Sequence, residues 1–243
     1  MKLPVLRTAL LLFVTFTLSF SQIKFSAGPY FGFTEPLGDY SGTTVDYYTG
    51  TKYGLGGGIN FGAVFKVKFS RLNARASLFY TSLDNSGNSL PGRSDVVNVK
   101  QNLFMIGIGP EFMFTFPGSR AKPYLNVDLL FTSFSGEVTF HDVQRVPTGT
   151  FSMSSATRTG LGLGAGVNIE LTSKYSFDVM FRYNFHNLLG KSYTSGVDNR
   201  LTSYISLNDD RDPLYDPEDD KHPISSSRSI NSIQIDFGFI FDF

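Results

Sequence analysis

Residues 229–243, SINSIQIDFGFIFDF, decide how the rest of the chain is read. Ile233, Ile235, Phe237, Phe239, Phe241 and Phe243 fall at every second position, with Ser232, Gln234, Asp236, Gly238 and Asp242 between them. Successive side chains of a strand point to opposite faces, so the segment has one oily face and one hydrophilic face; only Ile240 breaks the rule. Backbone N–H and C=O groups in hydrocarbon must all be paired. A strand of this kind therefore suits a closed barrel sitting in lipid with a polar interior.

Outward from the terminus the same period recurs seven times. A strand over 175–186 sets Tyr175, Phe177, Val179, Phe181, Tyr183 and Phe185 against Ser176, Asp178, Arg182, Asn184 and His186. One over 160–171 sets Leu161, Leu163, Ala165, Val167, Ile169 and Leu171 against Gly160, Gly162, Gly164, Gly166, Asn168 and Glu170. Segments 125–132, 102–116, 72–81, 55–69 and 25–33 alternate likewise, with Leu130 a second exception. The connections at 70–71, 117–122 and 172–174 are short, and those between them are long. No sustained 3.6-residue stripe appears. The expectation is an all-β fold, an eight-stranded antiparallel up-and-down transmembrane barrel with short periplasmic turns and long extracellular loops.

Period two does not say which face is outside, but residue types do. The interior of an eight-stranded barrel is just wide enough for side chains to fill. One face here is crowded with Gly, Ser and Asn, the other with Phe, Tyr and Leu, and charged residues make up 17% of the chain against roughly 25% in soluble proteins. Bulk outward into lipid and small polar groups inward is the consistent reading.

The start reads as a secretory leader. Lys2 and Arg7 precede an apolar core over 9–20, too short for the ~20 residues that span a bilayer, and Ser19-Phe20-Ser21 forms a small-x-small cleavage pattern. Residues 1–21 are expected to be removed before Gln22, leaving 22–243 as one barrel domain. The 21 basic and 21 acidic residues balance, and losing Lys2 and Arg7 leaves −2, so no basic field recruits nucleic acid. With no cysteine there is no lipobox thiol and no disulfide framework.

Charged residues on the inward face form the most chemically informative set. Lys66, Lys68, Arg75 and Arg182 share the lumen with Glu111, Asp128, Glu170, Asp178 and Asp236, mostly near the short-turn ends of their strands. Arg75 with Glu111, and Arg182 with Asp236, are expected as pairs because buried charges need partners. Such a network plugs and stiffens the barrel; a gated ion path is the sharper alternative. In the last long loop, NDDRDPLYDPEDDK gathers Asp209, Asp210, Asp212, Asp216, Glu218, Asp219 and Asp220. Oxygen ligands at this density could hold Ca²⁺. The EF-hand spacing is absent, however, and Pro213 and Pro217 interrupt the run, so a solvated acidic loop is expected. The first long loop is rich in Tyr and Gly, which suits an adaptable contact surface.

Catalysis has weak support. His141, His186 and His222 stand as HD, HN and HP without an H-x-S spacing, and only His141-Asp142, near an outer loop, suggests a dyad. No cofactor is expected: the run YGLGGGINFG is a strand interior, and no metal-spaced His/Cys cluster occurs.

GPYFGFTEPLGDY, GIGPEFMFTF running into AKPYLNVDLLF, and the terminal IDFGFIFDF resemble the small OmpA/OmpX-like barrels and the PorT-like "outer membrane protein beta-barrel domain" family. The terminal Phe, with apolar residues at alternate positions before it, resembles the signal such barrels show their assembly machinery, which assigns that role to Phe239, Phe241 and Phe243. The resemblance implies the outer membrane of a Gram-negative bacterium, with outer-membrane lipid, lipopolysaccharide and the barrel-assembly machinery as partners. It also implies a structural or accessory subunit of an outer-membrane complex for secretion, assembly or motility, contacting other outer-membrane or periplasmic proteins. The alternative is a surface adhesin or receptor working through its loops, with a narrow pore or lipid A-modifying enzyme behind it. With no peptidoglycan-binding domain read after the last strand, the anchoring role of full-length OmpA-like proteins is not expected to carry over.

Overall fold

A computed structural model describes residues 23–69, 71–194, 200–216 and 224–243. The expected leader lies outside the described residues. Eight strands, β1 (Lys24–Leu37), β2 (Gly58–Phe69), β3 (Leu72–Gly87), β4 (Val96–Met113), β5 (Ala121–His141), β6 (Gly149–Glu170), β7 (Tyr175–Leu189) and β8 (Asn231–Asp242), form a closed ring in sequence order. Every neighbouring pair is antiparallel, and β8 closes onto β1 with Phe31 opposite Phe237. Among the described residues two short helices, α1 (Thr44–Thr49) and α2 (Leu201–Ile205), sit in the first and last long loops.

The wide faces point outward. Leu163, Phe181 and Phe239 are 42%, 46% and 39% exposed, whereas Leu130 and Ile240, the two residues that broke the alternation, are buried inside at 0% and 1%. On β4 the outward apolar run from Phe104 through Ile106 and Ile108 to Phe112 gives way above to Asn102, Lys100 and Asn98. On β5, Leu125, Val127, Leu129 and Phe131 give way to Ser133, Ser135 and Glu137. The runs span nine and seven residues, close to the 9–11 that a tilted strand needs to cross hydrocarbon. β5 and β6 have 21 and 22 residues, far longer than their alternation suggested, so β3–β6 rise as a wall beyond the apolar band.

The inward glycines do a different job from the one expected. Tyr30 stands opposite Gly238, Phe79 opposite Gly62 and Tyr124 opposite Gly166. A Cβ on any of these glycines would overlap the facing ring, at 2.6 Å for Gly62 and Phe79. The glycines are sockets that let inward aromatic side chains lie flat on the next strand, so bulk is not confined to the outside. Tyr30, Val64, Phe79, Met105, Met180 and Ile240 form one such buried apolar cluster within the lower lumen.

Candidate functional site

The lumen has two storeys. The lower one, toward the short turns, carries the charges. Lys66 Nζ lies 2.8 Å from Glu111 and 3.7 Å from Asp178, all three buried. Asn73 donates to Glu111 at 2.9 Å, Tyr124 donates its hydroxyl to Asp178 at 2.6 Å, and the Lys66 ammonium sits 4.5 Å above the Tyr124 ring. Arg182 approaches Asp128 at 3.5 Å, donates to Ser77 and stacks on Phe79.

The two expected pairings are replaced. Glu111 takes Lys66, which stands beside Arg75 in the β2–β3 register, and Arg75 reaches across the lumen to the Met180 sulfur at 2.9 Å. Arg182 takes Asp128, while Asp236 lies buried opposite Gly32 and Met180 with no ion pair among the described residues. Lys68 and Glu170 stand at the short-turn rim instead of inside. Lys68 pairs with Asp242 at 2.6 Å and Glu170 with Lys122, partners at strand ends that lie outside the expected network although alternation puts Asp242 on the polar face.

Above this lies a layer of uncharged polar groups. Asn184 donates to Gln234 at 2.6 Å, Asn60 to Thr34 at 2.8 Å, and the His186 ring nitrogens lie 3.1 Å from Thr132 and 2.9 Å from Ser232. Both ring nitrogens are thus engaged and the ring is fully buried. His141 and Asp142 do meet, at 3.0 Å, but both are well exposed beyond the membrane band. His222 lies outside the described residues.

The upper storey is apolar and aromatic, contrary to the polar interior expected throughout. Leu83, Val97, Val99, Leu103, Phe134, Val138 and Phe140 from the wall meet Tyr40, Tyr47, Tyr53 and Leu55 from the first loop and Tyr204, Leu207 and Ile230 from the last. Leu55, read as the start of an outward face, is 2% exposed within this cap. α1 is fixed by a capping box between Thr43 and Asp46 and stopped at Gly50 in the left-handed region (φ 76°). It presents Tyr47, whose hydroxyl donates to the Tyr204 carbonyl at 2.8 Å. Tyr53 donates to the Leu207 carbonyl at 2.9 Å, Tyr40 to Gln101 at 2.6 Å and Tyr48 to the Gln144 carbonyl at 3.1 Å. The tyrosines of the first loop are therefore the plug, not an exposed contact surface.

The acidic run is also corrected. Asp209 is fully buried and receives Arg158 in a two-pronged pair at 2.8 and 2.7 Å, together with Asn187 and the Ser192 N–H. Burial alone would raise its carboxyl, but these donors, Arg158 foremost, hold it below the usual carboxylate range. Asp212 is buried and accepts from Tyr193 at 2.6 Å, and burial with that bond pushes the Tyr193 hydroxyl up to about 12. Asp210 and Asp216 are exposed, and Glu218, Asp219 and Asp220 lie outside the described residues. Among the described residues no three acidic, His or Cys side chains gather as ion ligands. A run that reads as solvated acid thus supplies two structural anchors; the lone basic Arg158 on a Ser/Thr-rich strand was the available signal for one of them.

A family model described as "outer membrane protein beta-barrel domain" matches residues 8–204. A comparison with curated proteins found no match. Among solved structures, Neisserial surface protein A is 16% identical, with 90% of this chain and 97% of that chain covered and a TM-score of 0.49. OprG from Pseudomonas aeruginosa is 12% identical, covering 91% and 96%, at 0.47. Ail, the attachment invasion locus protein of Yersinia pestis, in complex with the heparin analogue sucrose octasulfate, is 11% identical, covering 91% and 97%, at 0.40.

Proposed function

The chain belongs to the outer membrane protein beta-barrel domain family, and from that premise we propose that it is a sealed barrel serving as a structural or accessory subunit of a larger outer-membrane assembly. The observation that supports this reading is the double closure of the lumen: Lys66, Glu111 and Asp178 interlock below, and the tyrosine cap fills the mouth above. A path for ions would have to cross both storeys. A chain with a filled interior acts through its outside, where the wall of β3–β6 presents Asp84, Lys100 and Glu137 as adjacent cross-strand neighbours above the apolar band. An adhesin reading has less to work with, because the first loop's tyrosines and Asp209 and Asp212 turn inward.

Extraction in a gentle detergent followed by native electrophoresis tests this. The expected result is a stable species heavier than the barrel alone, dispersed by Asp84→Lys/Glu137→Lys. A lone monomer at every detergent strength sinks the subunit reading, and steady channels in planar bilayers sink the sealed one.

A further inference from the structure

The two ends of the barrel differ in charge. At the long-loop end exposed acids and bases are interspersed: Glu35, Asp84, Glu137 and Asp210 with Arg93, Lys100 and Arg211. At the short-turn end the described residues are six bases, Lys24, Lys68, Arg71, Arg120, Lys122 and Lys174, and two acidic side chains, Glu170 and Asp242. Lys122 and Lys68 take those two carboxylates. Lys24, Arg71, Arg120 and Lys174 remain exposed, with no ion pair among the described residues.

These four are spread around the ring. Lys24 opens β1, Arg71 precedes β3, Arg120 precedes β5 and Lys174 precedes β7, so each antiparallel hairpin of the barrel contributes one. Beside them stand outward apolar side chains: Phe69, Leu72, Phe114, Phe116, Leu171 and Phe243, all 39% to 70% exposed. Lys24, Arg71 and Lys174 adjoin exposed apolar side chains and Arg120 lies four residues beyond Phe116, which puts them at the depth where a bilayer's phosphates meet its acyl chains.

We propose that this collar binds the phosphates of anionic phospholipids in the leaflet around the short turns. Guanidinium groups offer paired donors to phosphate oxygens, and the neighbouring rings meet the same lipid's acyl chains. The adjoining apolar edge favours a lipid over a soluble anion or an acidic protein. The inference needs only that the barrel spans a bilayer, so it stands or falls apart from the subunit reading.

Native mass spectrometry of the refolded full chain, given equal phosphatidylglycerol and phosphatidylcholine of matched acyl chains, tests it. Phosphatidylglycerol should be retained about tenfold over phosphatidylcholine, a conservative yield for four such cations. Lys24→Gln/Arg71→Gln/Arg120→Gln/Lys174→Gln should abolish the preference, Arg71→Gln/Arg120→Gln should cut it by about threefold, and Arg93→Gln/Lys100→Gln at the opposite end should leave it intact. Equal retention of the two lipids overturns the proposal. So does an unchanged preference in the double collar variant, which keeps the test open if the quadruple variant fails to refold. Full displacement of phosphatidylglycerol by millimolar inorganic phosphate overturns it as well, since that marks a free-anion site.

Discussion

Below Leu103 the lumen is filled by Lys66, Arg75, Arg182 and four buried carboxylates, interleaved with rings seated on glycines; above it, by tyrosines and aliphatic side chains from two loops and a wall. Both halves are filled by buried side chains, but they fail in different ways. Buried ions are costly when a partner is lost and gain little over an apolar filling when it is present. An aromatic cap gains steadily with area and hydrogen bonds its hydroxyls to backbone carbonyls, as Tyr47, Tyr53 and Tyr204 do. The lower half should therefore set whether the barrel holds, and the upper half whether its mouth is shut.

Lys66→Met is the hardest blow to that contrast. It strands Glu111 and Asp178, and urea unfolding in micelles, followed by the heat-modifiable gel shift, should show a loss of about 3–5 kcal/mol. Adding Glu111→Leu should return part of it; a loss below about 1 kcal/mol would mean that water already serves these charges. Next in size, Asp209→Ala leaves Arg158 buried and unpaired, at about 3 kcal/mol borne by the cap alone. Trypsin should then cut at Arg200 and Arg211 while the unfolding midpoint of the barrel holds. If the midpoint falls as well, the two halves are one cooperative unit.

Gly166→Val should cost about 1–3 kcal/mol by driving Tyr124 off its socket, with Asp178 losing its phenol donor. Gly118→Val meets no side chain but sits at φ 75°, so it should cost backbone strain alone, about 1–2 kcal/mol, and leave Tyr124 and the lumen undisturbed. The smallest effect is that of acid. Because the folded Asp209 carboxyl titrates below its ordinary 3.8, its stabilisation is complete above that value and is lost as pH falls through the lower folded one. Protease protection of the last loop should be flat down to about pH 5 and fade below 3.8, and Asp209→Asn should flatten the profile.

Much of the fold was legible because alternation records which way a side chain points. All eight strands follow from it, and the short and long connections between them sort to opposite ends of the ring. Height is what alternation does not encode. Val97, Val99 and Leu103 share a face with Glu111 and Met113, yet they meet the cap and not the ions, and nothing in VVNVKQNLF marks where one storey gives way to the other. The upper part of the β5–β6 hairpin shows no outward apolar period, because GTFSMSSATRT is polar on its outer face, as strands above the lipid must be. Partner choice among long side chains was hidden for a similar reason. Lys66 and Arg75 are register neighbours, and either can reach Glu111.

The loops that meet in the cap are those following β1 and preceding β8, the strands whose pairing completes the ring. Arg200 donates to the Tyr48 carbonyl at 2.6 Å, the Ser229 N–H donates to Asp39 at 2.9 Å, and Arg228 lies 4.1 Å over the Tyr53 ring, all joining the two ends of the chain across that closure. The β1–β8 ladder holds the two loops within reach of each other. These bonds work as a clasp over the loop end of the seam, so parting β1 from β8 at that end demands that the clasp be undone before the ladder bonds beneath it can break.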